Sequence, residues 1–344
     1  MQQIPAINYL FQQIGSLIPN TNTKRKPEVV VLGSGWGASS FVENIDTNKY
    51  NVKVISTSPA RLNQPRLIAD FDPSYKPLKL APTIDTCMSV NKTDKKVIGS
   101  NNIYNYEYLI IATGSEPNDF GIEGVKKHCF MFKNEQDLEI LKNTIEDQTH
   151  ITVLGAGPTG IELAFKLQLL GHTVTLIEGT NTILPGFSNE MQQRISAILQ
   201  ERNIPVIANM KITSIDETSF TTSSGKMNRN KVCIWTCGVR PTSFVRDMNS
   251  GKAFITDDNL MVSPSIYALG DVVYGKGPPT AQNAKQQGIY LANHFNNDLN
   301  SQNKYTYMER GRVIDIGNGM VVEYQGRITR LPYIFRNIFY AFVA

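Results

Sequence analysis

Short apolar runs and stretches of helical periodicity alternate along most of the chain. Residues 29–32 and 151–154 are continuous runs of branched or other apolar residues, as expected for strands buried on both faces of a parallel sheet. Each run leads into a glycine-rich turn, a helical segment and a second strand, "NVKVIST" in the first case and "TVTLIE" in the second. The pattern predicts two strand–helix–strand units in an α/β chain.

The first glycine turn, residues 33–38, has the spacing of a dinucleotide-binding site. Its pattern is G-x-G-x-x-A, in which the glycines permit a tight turn and the close approach of a pyrophosphate. The N-terminus of the following helix directs unpaired N–H groups at those phosphates. The predicted contacts are Gly33, Gly35, Trp36, Gly37 and Ala38. Ser56 and Thr57 end the second strand where an acid would hold a ribose hydroxyl, so this pattern by itself is weak evidence.

The second glycine turn, residues 155–160, carries the stronger signal. Glu178 ends the next strand at the spacing expected for a carboxylate that grips both ribose hydroxyls. A carboxylate there would repel a 2′-phosphate, so the pattern favours NADH over NADPH. The predicted contacts of the turn are Gly155, Gly157, Pro158, Thr159 and Gly160.

Two later strand ends indicate what the first glycine turn binds. "YEYLIIATGSEP" runs into Ala112, Thr113 and Gly114, and "SPSIYALGDVV" places Gly270 and Asp271 after a strand and before a helical segment. An aspartate in that position can bond the ribityl hydroxyls or phosphate-side groups of a flavin. This order of motifs is the one seen when a NAD-binding unit is inserted into an FAD-binding unit. We therefore predict an FAD site, an NADH site and hydride transfer between them.

Composition narrows the alternatives. The 344 residues favour two domains, and the net charge of +4, spread along the chain, gives no nucleic-acid footprint. The four cysteines form no C-x-x-C pair and none follows the first glycine turn as C-x-x-x-x-C, which argues against disulfide and sulfide:quinone reductases. No histidines form a metal-like pair, so no metal is expected. No apolar run approaches the ~20 residues that span a bilayer.

With these motifs in order, residues 27–300 resemble the type II NADH dehydrogenases, a family of two-dinucleotide-binding flavoproteins. The matching segments are "VVVLGSGWGA", "VLGAGPTGIELA", "WTCGVRP", "YALGDVV" and "PPTAQNAKQQGIYLA". The resemblance implies two Rossmann-like units and a single-subunit, membrane-surface NADH:quinone oxidoreductase with non-covalent FAD that pumps no protons. It adds Cys237, Gly238 and Ala281 to the nucleotide contacts.

The resemblance also implies roles for side chains near the flavin. Gln282 and Gln286 match the A-Q-x-x-x-Q pattern that lines the family's quinone pocket, and Gln287 is a neighbouring candidate. Glu162 matches a glutamate near the flavin, where it would relay protons or place the nicotinamide. The competing interpretation is a carboxylate that complements the helix dipole.

The last residues, "RLPYIFRNIFYAFVA", have apolar side chains at helical spacing, which predicts a helix lying on a membrane surface. A buried helix and a homodimer contact are the alternatives. Arg336 matches a basic residue that the family keeps near the quinone. These features suggest a peripheral protein of the mitochondrial inner membrane or the cytoplasmic membrane face.

We expect an N-terminal helix over residues 1–26, an FAD-binding domain of residues 27–148 and 256–300, an NADH-binding domain of residues 149–255, and a membrane-interface region of residues 301–344. The loop "STSPARLNQPRLIADF" departs from the family pattern near the flavin. It leaves two alternatives open: an oxidoreductase like apoptosis-inducing factor with another acceptor, and a non-catalytic nucleotide-binding scaffold.

Overall fold

The computed structural model describes residues 25–222, 224–300 and 302–336. The predicted helix of residues 1–26 lies almost wholly outside the described residues, as do Ile338, Phe339 and Phe342 of the predicted tail helix. The helices are α1 (Trp36–Asn44), α2 (Gln64–Ala69), α3 (Val125–His128), α4 (Glu135–Thr144), α5 (Pro158–Leu169), α6 (Asn189–Glu201), α7 (Ser243–Met248) and α8 (Ala281–Asn296), with a 3-10 turn at Tyr333–Phe335.

The strands, in chain order, are β1 (Glu28–Leu32), β2 (Asn51–Ser56), β3 (Ala60–Leu62), β4 (Tyr75–Pro77), β5 (Thr83–Ile84), β6 (Cys87–Asn91), β7 (Lys96–Gly99), β8 (Ile103–Asn105), β9 (Tyr108–Ile111), β10 (Ser115–Pro117), β11 (Phe130–Met131), β12 (His150–Leu154), β13 (Thr173–Ile177), β14 (Val206–Ile207), β15 (Ile212–Ile215), β16 (Ser219–Thr222), β17 (Gly225–Asn228), β18 (Val232–Trp235), β19 (Val239–Pro241), β20 (Met261–Ser263), β21 (Ile266–Ala268), β22 (Arg312–Asp315), β23 (Gly319–Tyr324) and β24 (Arg327–Pro332).

The first sheet has the order β20-β21-β9-β1-β2-β5 and is parallel except at its β20 edge. Its strands come from both ends of the chain. Val29 and Val31 point to a core with α1 and α8, whereas Val30 and Leu32 point to the opposite core, so the continuous apolar run is explained by burial on both faces. Helices α1 and α8 approach closely, because a Cβ on Gly288 would stand 2.4 Å from the carbonyl oxygen of Gly37.

The second sheet, with the order β11-β18-β12-β13-β14, is parallel throughout and is built from residues between the two halves of the first. Ile151 and Val153 pack with helices α4, α5 and α6 on one face. Leu154 lies in a core on the other face, which is covered by the antiparallel sheet β15-β16-β17. The two parallel sheets confirm the predicted fold class of two Rossmann-like units, one inserted in the other.

Two parts of the chain, a two-stranded ribbon and the C-terminal sheet, connect these units. β10 pairs antiparallel with β19, which forms a two-stranded ribbon between the two sheets. The C-terminal sheet β22-β23-β24 places Ile314, Ile316 and Val321 in the same core as α5. Within the described ranges, no helix has both the length and the hydropathy to cross a bilayer.

Candidate active site

The first glycine turn forms as its spacing predicts. Gly33 has φ +108°, and a Cβ there would stand 2.3 Å from the carbonyl oxygen of Ala112, so only glycine fits beside the end of β9. Gly35 is the N-cap of α1, and a Cβ on it would meet nothing within 4 Å. Ala38, in the first turn of α1, is fully buried. The turn therefore presents open backbone at the start of α1.

A large cleft of ≈ 1070 Å³ opens above this turn. It brings together predicted residues from several strand ends. Those that line it are Gly35, Trp36, Gly37, Thr57, Ala112, Thr113, Gly114, Pro158, Thr159, Gly238, Gly270, Asp271 and Ala281. Three other predicted contacts lie behind the turn and are not among the lining residues, namely Gly33, Ala38 and Ser56. Strand ends that are distant in sequence thus converge as expected at the carboxyl edge of a parallel sheet.

Asp271 lies in a hydrogen-bonded group that sequence reasoning missed. Its Oδ2 accepts a hydrogen bond of 2.6 Å from the Ser115 hydroxyl, which in turn accepts one of 3.0 Å from Lys133 Nζ. Lys133 Nζ also stands 3.9 Å from Asp271 Oδ2. Burial lowers the pKa of Lys133, and the charge of Asp271 partly offsets that effect. The cleft therefore holds a carboxylate with an ammonium group beside it.

The end of β2 carries hydroxyl groups, and a cation from β3 lies beside the first glycine turn. Ser56 Oγ donates a hydrogen bond of 2.9 Å to Ser34 Oγ. Arg61, which is buried, has its guanidinium carbon 3.8 Å from the centre of the Trp36 ring and donates from Nη1 to Ser39 Oγ at 2.8 Å. Burial lowers the pKa of Arg61. Sequence reasoning did not single out Arg61.

The second glycine turn repeats the geometry. Gly155 has φ +100°, and a Cβ on Gly160 would stand 2.0 Å from the carbonyl oxygen of Gly155. Gly157 is the N-cap of α5, and a Cβ on it would meet nothing within 4 Å. The first and third glycines are therefore required for packing, and the second has open space beside its backbone.

Glu178 stands at the end of β13, beside this turn. Its Oε2 accepts a hydrogen bond of 2.7 Å from the Ala156 N–H, and its Oε1 accepts bonds from the Thr180 N–H and hydroxyl at 2.8 and 2.9 Å. Only 8% of the residue is exposed. These contacts fix the carboxylate at the position where the sequence predicts a ribose contact.

A small cleft of ≈ 810 Å³ includes Gly155, Gly157, Glu178, Cys237 and Gly238 among its lining residues. Burial, aided by the charge of Glu178, raises the pKa of Cys237 to about 12, so its sulfur is a neutral thiol near pH 7. Gly238 lines both clefts. The first turn of α5 is likewise shared, because Gly157 faces the small cleft while Pro158 and Thr159 line the large one.

Glu162 lies one turn further along α5 and is not among the residues that line either cleft. Its Oε1 accepts a hydrogen bond of 3.0 Å from the Asp315 N–H of β22. Burial raises its pKa to about 8, and the charge of Asp315 adds to that effect. Arg336, also buried, donates hydrogen bonds to Asp70 and to the Tyr333 hydroxyl. The structure thus places Glu162 and Arg336 in a group of charges between α5, α2 and the C-terminal segment.

Gln282 and Gln286 hold the backbone of residues 308–311. The side chain of Gln282 accepts from the Arg310 N–H at 2.7 Å and donates to the Gly311 carbonyl at 3.3 Å. That of Gln286 donates to the Met308 carbonyl at 2.7 Å and accepts from its N–H at 3.0 Å. Gln287 instead accepts from the Gly270 N–H at 2.6 Å. No pattern in the sequence predicted these backbone partners.

The sequence of the chain matches one protein-family model over most of its length. The model of the family described as pyridine nucleotide-disulphide oxidoreductase matches residues 27–288. The chain belongs to this family. The chain has four free cysteines, and the described residues contain no group of three or more His, Cys, Asp or Glu side chains that could hold a metal ion.

Several curated proteins are similar in sequence to this chain. It is 26% identical to a probable mitochondrial NADH-ubiquinone oxidoreductase of Schizosaccharomyces pombe, over 79% of this chain and 63% of that protein. It is also 26% identical to a type II NADH:quinone oxidoreductase of Staphylococcus haemolyticus, over 88% of this chain and 91% of that protein. The chain spans less than two thirds of the length of the first curated relatives, 63% and 64%.

Solved structures support the fold. NDH2 from Plasmodium falciparum in complex with NADH has a TM-score of 0.80 at 21% identity, and the match covers 93% of this chain and 95% of that one. A sulfide:quinone oxidoreductase from Aquifex aeolicus has a TM-score of 0.76 at 18% identity, with coverage of 92% and 89%. At these identities the likeness concerns the fold of this oxidoreductase family.

Proposed function

We propose that the protein is an FAD-dependent oxidoreductase that takes hydride from NADH and passes two electrons to a membrane quinone without pumping protons. The observation that carries this proposal is the pair of clefts, each above its own glycine turn, that meet at Gly238 and the first turn of α5. This arrangement lets two nucleotides meet at their reactive ends. The printed names of the relatives, among them a type II NADH:quinone oxidoreductase, support the acceptor.

The large cleft fits FAD. A Cβ on Gly35 would point into unfilled space, and the N–H groups of the first turn of α1 are available to a pyrophosphate. Asp271 can accept hydrogen bonds from flavin hydroxyls. Lys133 offers a positive charge in the same cleft. When bound, the flavin supplies the hydride acceptor and the two-electron donor.

The small cleft fits NADH. The open backbone at Gly157 can approach the pyrophosphate, and Glu178, already fixed by Ala156 and Thr180, can accept hydrogen bonds from the ribose hydroxyls. Pro158 and Thr159 line the large cleft, so the nicotinamide half would lie towards the flavin site. The protein thus contributes binding and orientation, which accounts for much of the rate in such transfers.

The acceptor side is assigned to the segment that Gln282 and Gln286 hold. These amides position residues 308–311 beside the start of α8, and we assign the quinone headgroup to this region. We assign a proton-holding role to Glu162, whose pKa is raised to about 8 and which bonds β22 just after this segment, and the role of a fixed charge to Arg336. Asp271 and Ala281, which line the large cleft, then form part of the flavin site between the two substrates.

We also propose the domain limits and the location that the sequence predicts. The FAD unit comprises residues 27–148 and 256–300, the NADH unit residues 149–255, and residues 301–344 form the membrane-facing region. Ile334 is 80% exposed at the end of the described chain, next to exposed Tyr333 and Phe335. Such a surface suits a peripheral protein of the mitochondrial inner membrane or the cytoplasmic membrane face, with a homodimer contact as the alternative use.

Anaerobic stopped-flow spectroscopy tests this function. The purified protein should be yellow, NADH should bleach the flavin absorbance, and a short-chain quinone should restore it. A colourless protein that cannot be reconstituted with FAD would contradict the proposal. Bleaching by NADH with no recovery on adding any quinone would point to another acceptor.

A further inference from the structure

Loop 118–123 presents an aromatic ring to the small cleft. Phe120 has φ +52° and is 59% exposed. A bulky residue rarely adopts this left-handed conformation, and an exposed ring gains little from packing inside the protein. Neither backbone preference nor burial in the core explains why a phenylalanine stands here.

The loop is held from both sides. Trp235 Nε1 donates to the Asn118 carbonyl at 2.7 Å, and the Asn118 N–H donates to the Gly238 carbonyl at 3.0 Å. Asp119 pairs with Arg240 and Lys126, each at 3.0 Å. The position of the Phe120 ring is therefore set by the anchors of its neighbours.

The ring belongs to the small cleft and not to the large one. Phe120 and Ile122 lie among the apolar lining residues, together with Ile212, and Glu178 lies among the polar ones. A Cβ on Gly238 would stand 3.8 Å from the Phe120 ring. A flat apolar face thus stands in the same cleft as the predicted ribose carboxylate.

We propose that Phe120 stacks on the adenine ring of NADH. The inference rests on the proposed function, in which the nicotinamide half passes Pro158 and Thr159 into the large cleft. The adenine half then stays with Glu178 in the small cleft, where Phe120 offers a planar apolar surface. Stacking between an aromatic side chain and a base contributes affinity without demanding particular hydrogen bonds.

Titration calorimetry of the flavin-loaded protein with ADP-ribose tests this assignment. ADP-ribose carries the adenine half of NADH and lacks the nicotinamide. Phe120→Ala should weaken its binding by about five-fold or more, whereas Phe120→Tyr should keep binding close to that of the unchanged protein. Tyr274→Ala removes a similarly exposed ring, 72% exposed and not among the lining residues of the small cleft, and should have no effect.

Reduced nicotinamide mononucleotide provides the second arm, because it lacks adenine. The rate at which it bleaches the flavin should be equal in the Phe120→Ala variant and the unchanged protein. Equal ADP-ribose binding by those two proteins would overturn the inference. So would a Phe120→Ala variant whose flavin is bleached more slowly, by the same factor, with NADH and with reduced nicotinamide mononucleotide. If the unchanged protein itself bound no ADP-ribose, the proposed NADH site would fail as well.

Discussion

A single carboxylate, Glu178, links local structure to nucleotide choice. Its hydrogen bonds to Ala156 and Thr180 connect the end of β13 to the second glycine turn. The same side chain faces the small cleft. The residue therefore shapes the site and lies where we propose that the ribose binds.

Glu178→Ala should weaken NADH binding while flavin content stays normal. Hydrogen bonds to a charged group contribute about 1.5–3 kcal/mol each, so the loss of ribose contacts predicts at least a ten-fold higher dissociation constant, about 1.4 kcal/mol. Calorimetry with ADP-ribose and the flavin absorbance of the purified variant measure the two effects. Loss of flavin with retained NADH binding would show that the two glycine turns have been assigned in the wrong order.

Glu162 predicts a dependence of stability on pH. Burial raises its pKa to about 8 in the folded chain, whereas an unfolded glutamate titrates at about 4.3. Between these values the folded chain keeps a proton that the unfolded chain has lost. The free energy of unfolding contributed by this group therefore falls as pH rises, by up to about 1.4 kcal/mol per pH unit.

Glu162→Gln is neutral at every pH and should flatten that slope. Melting temperatures of the variant and the unchanged protein, taken between about pH 5 and about pH 8, measure the difference. Asp315, whose pKa burial also raises, will leave some slope in both proteins. Glu139→Gln, on the exposed side of α4, is the matched control. Identical slopes for Glu162→Gln and the unchanged protein would contradict the raised pKa.

At the scale of elements, the sequence predicted local features well and long-range contacts poorly. Both glycine turns and Glu178 were predictable because strand, turn and helix follow one another along the chain. Lys133 meets Asp271, and Arg61 meets Trp36, only after distant segments fold together. No periodicity or spacing reports such contacts. The two glutamines were singled out, but their partners in residues 308–311 were not.

Replacing both glutamines of α8 should release the segment that they hold. Gln282 and Gln286 make four hydrogen bonds to the backbone of residues 308–311, and each contributes about 1 kcal/mol. In Gln282→Ala with Gln286→Ala, the amides of Met308 and Arg310 should exchange with deuterium at least ten-fold faster. Gln193→Ala, an exposed glutamine of α6, should leave that exchange unchanged.

The same double variant separates a purely structural role from a role at the quinone site. NADH should still reduce its flavin at the normal rate, because both nucleotide clefts keep their lining. Reoxidation by quinone should slow if residues 308–311 form the acceptor site. Faster deuterium exchange with unchanged quinone turnover would show that the two glutamines only hold residues 308–311 in place.

At the scale of the whole molecule, the proposed hydride transfer depends on how the two units are held. The ribbon of β10 and β19 joins them, and its charges are paired across the strands. Arg240 bonds Glu116 and Asp119, each at 3.0 Å, and Arg246 bonds Glu116 at 2.8 Å. Half-buried pairs that share a carboxylate restrain geometry better than isolated surface pairs do.

Arg240→Ala with Arg246→Ala should loosen this ribbon without touching either nucleotide. A displacement of about 1 Å between reacting groups can slow a reaction by about 100-fold, so flavin reduction by NADH should slow by about ten-fold or more in stopped flow. Flavin content should stay normal, and ADP-ribose binding should fall less than the rate, because Asn118 still anchors the Phe120 loop to Trp235 and Gly238. Lys126→Ala removes the exposed partner of Asp119 and is the control, since such surface pairs contribute little. A normal reduction rate in the double variant would mean that the C-terminal sheet packed on α5 sets the orientation of the units by itself.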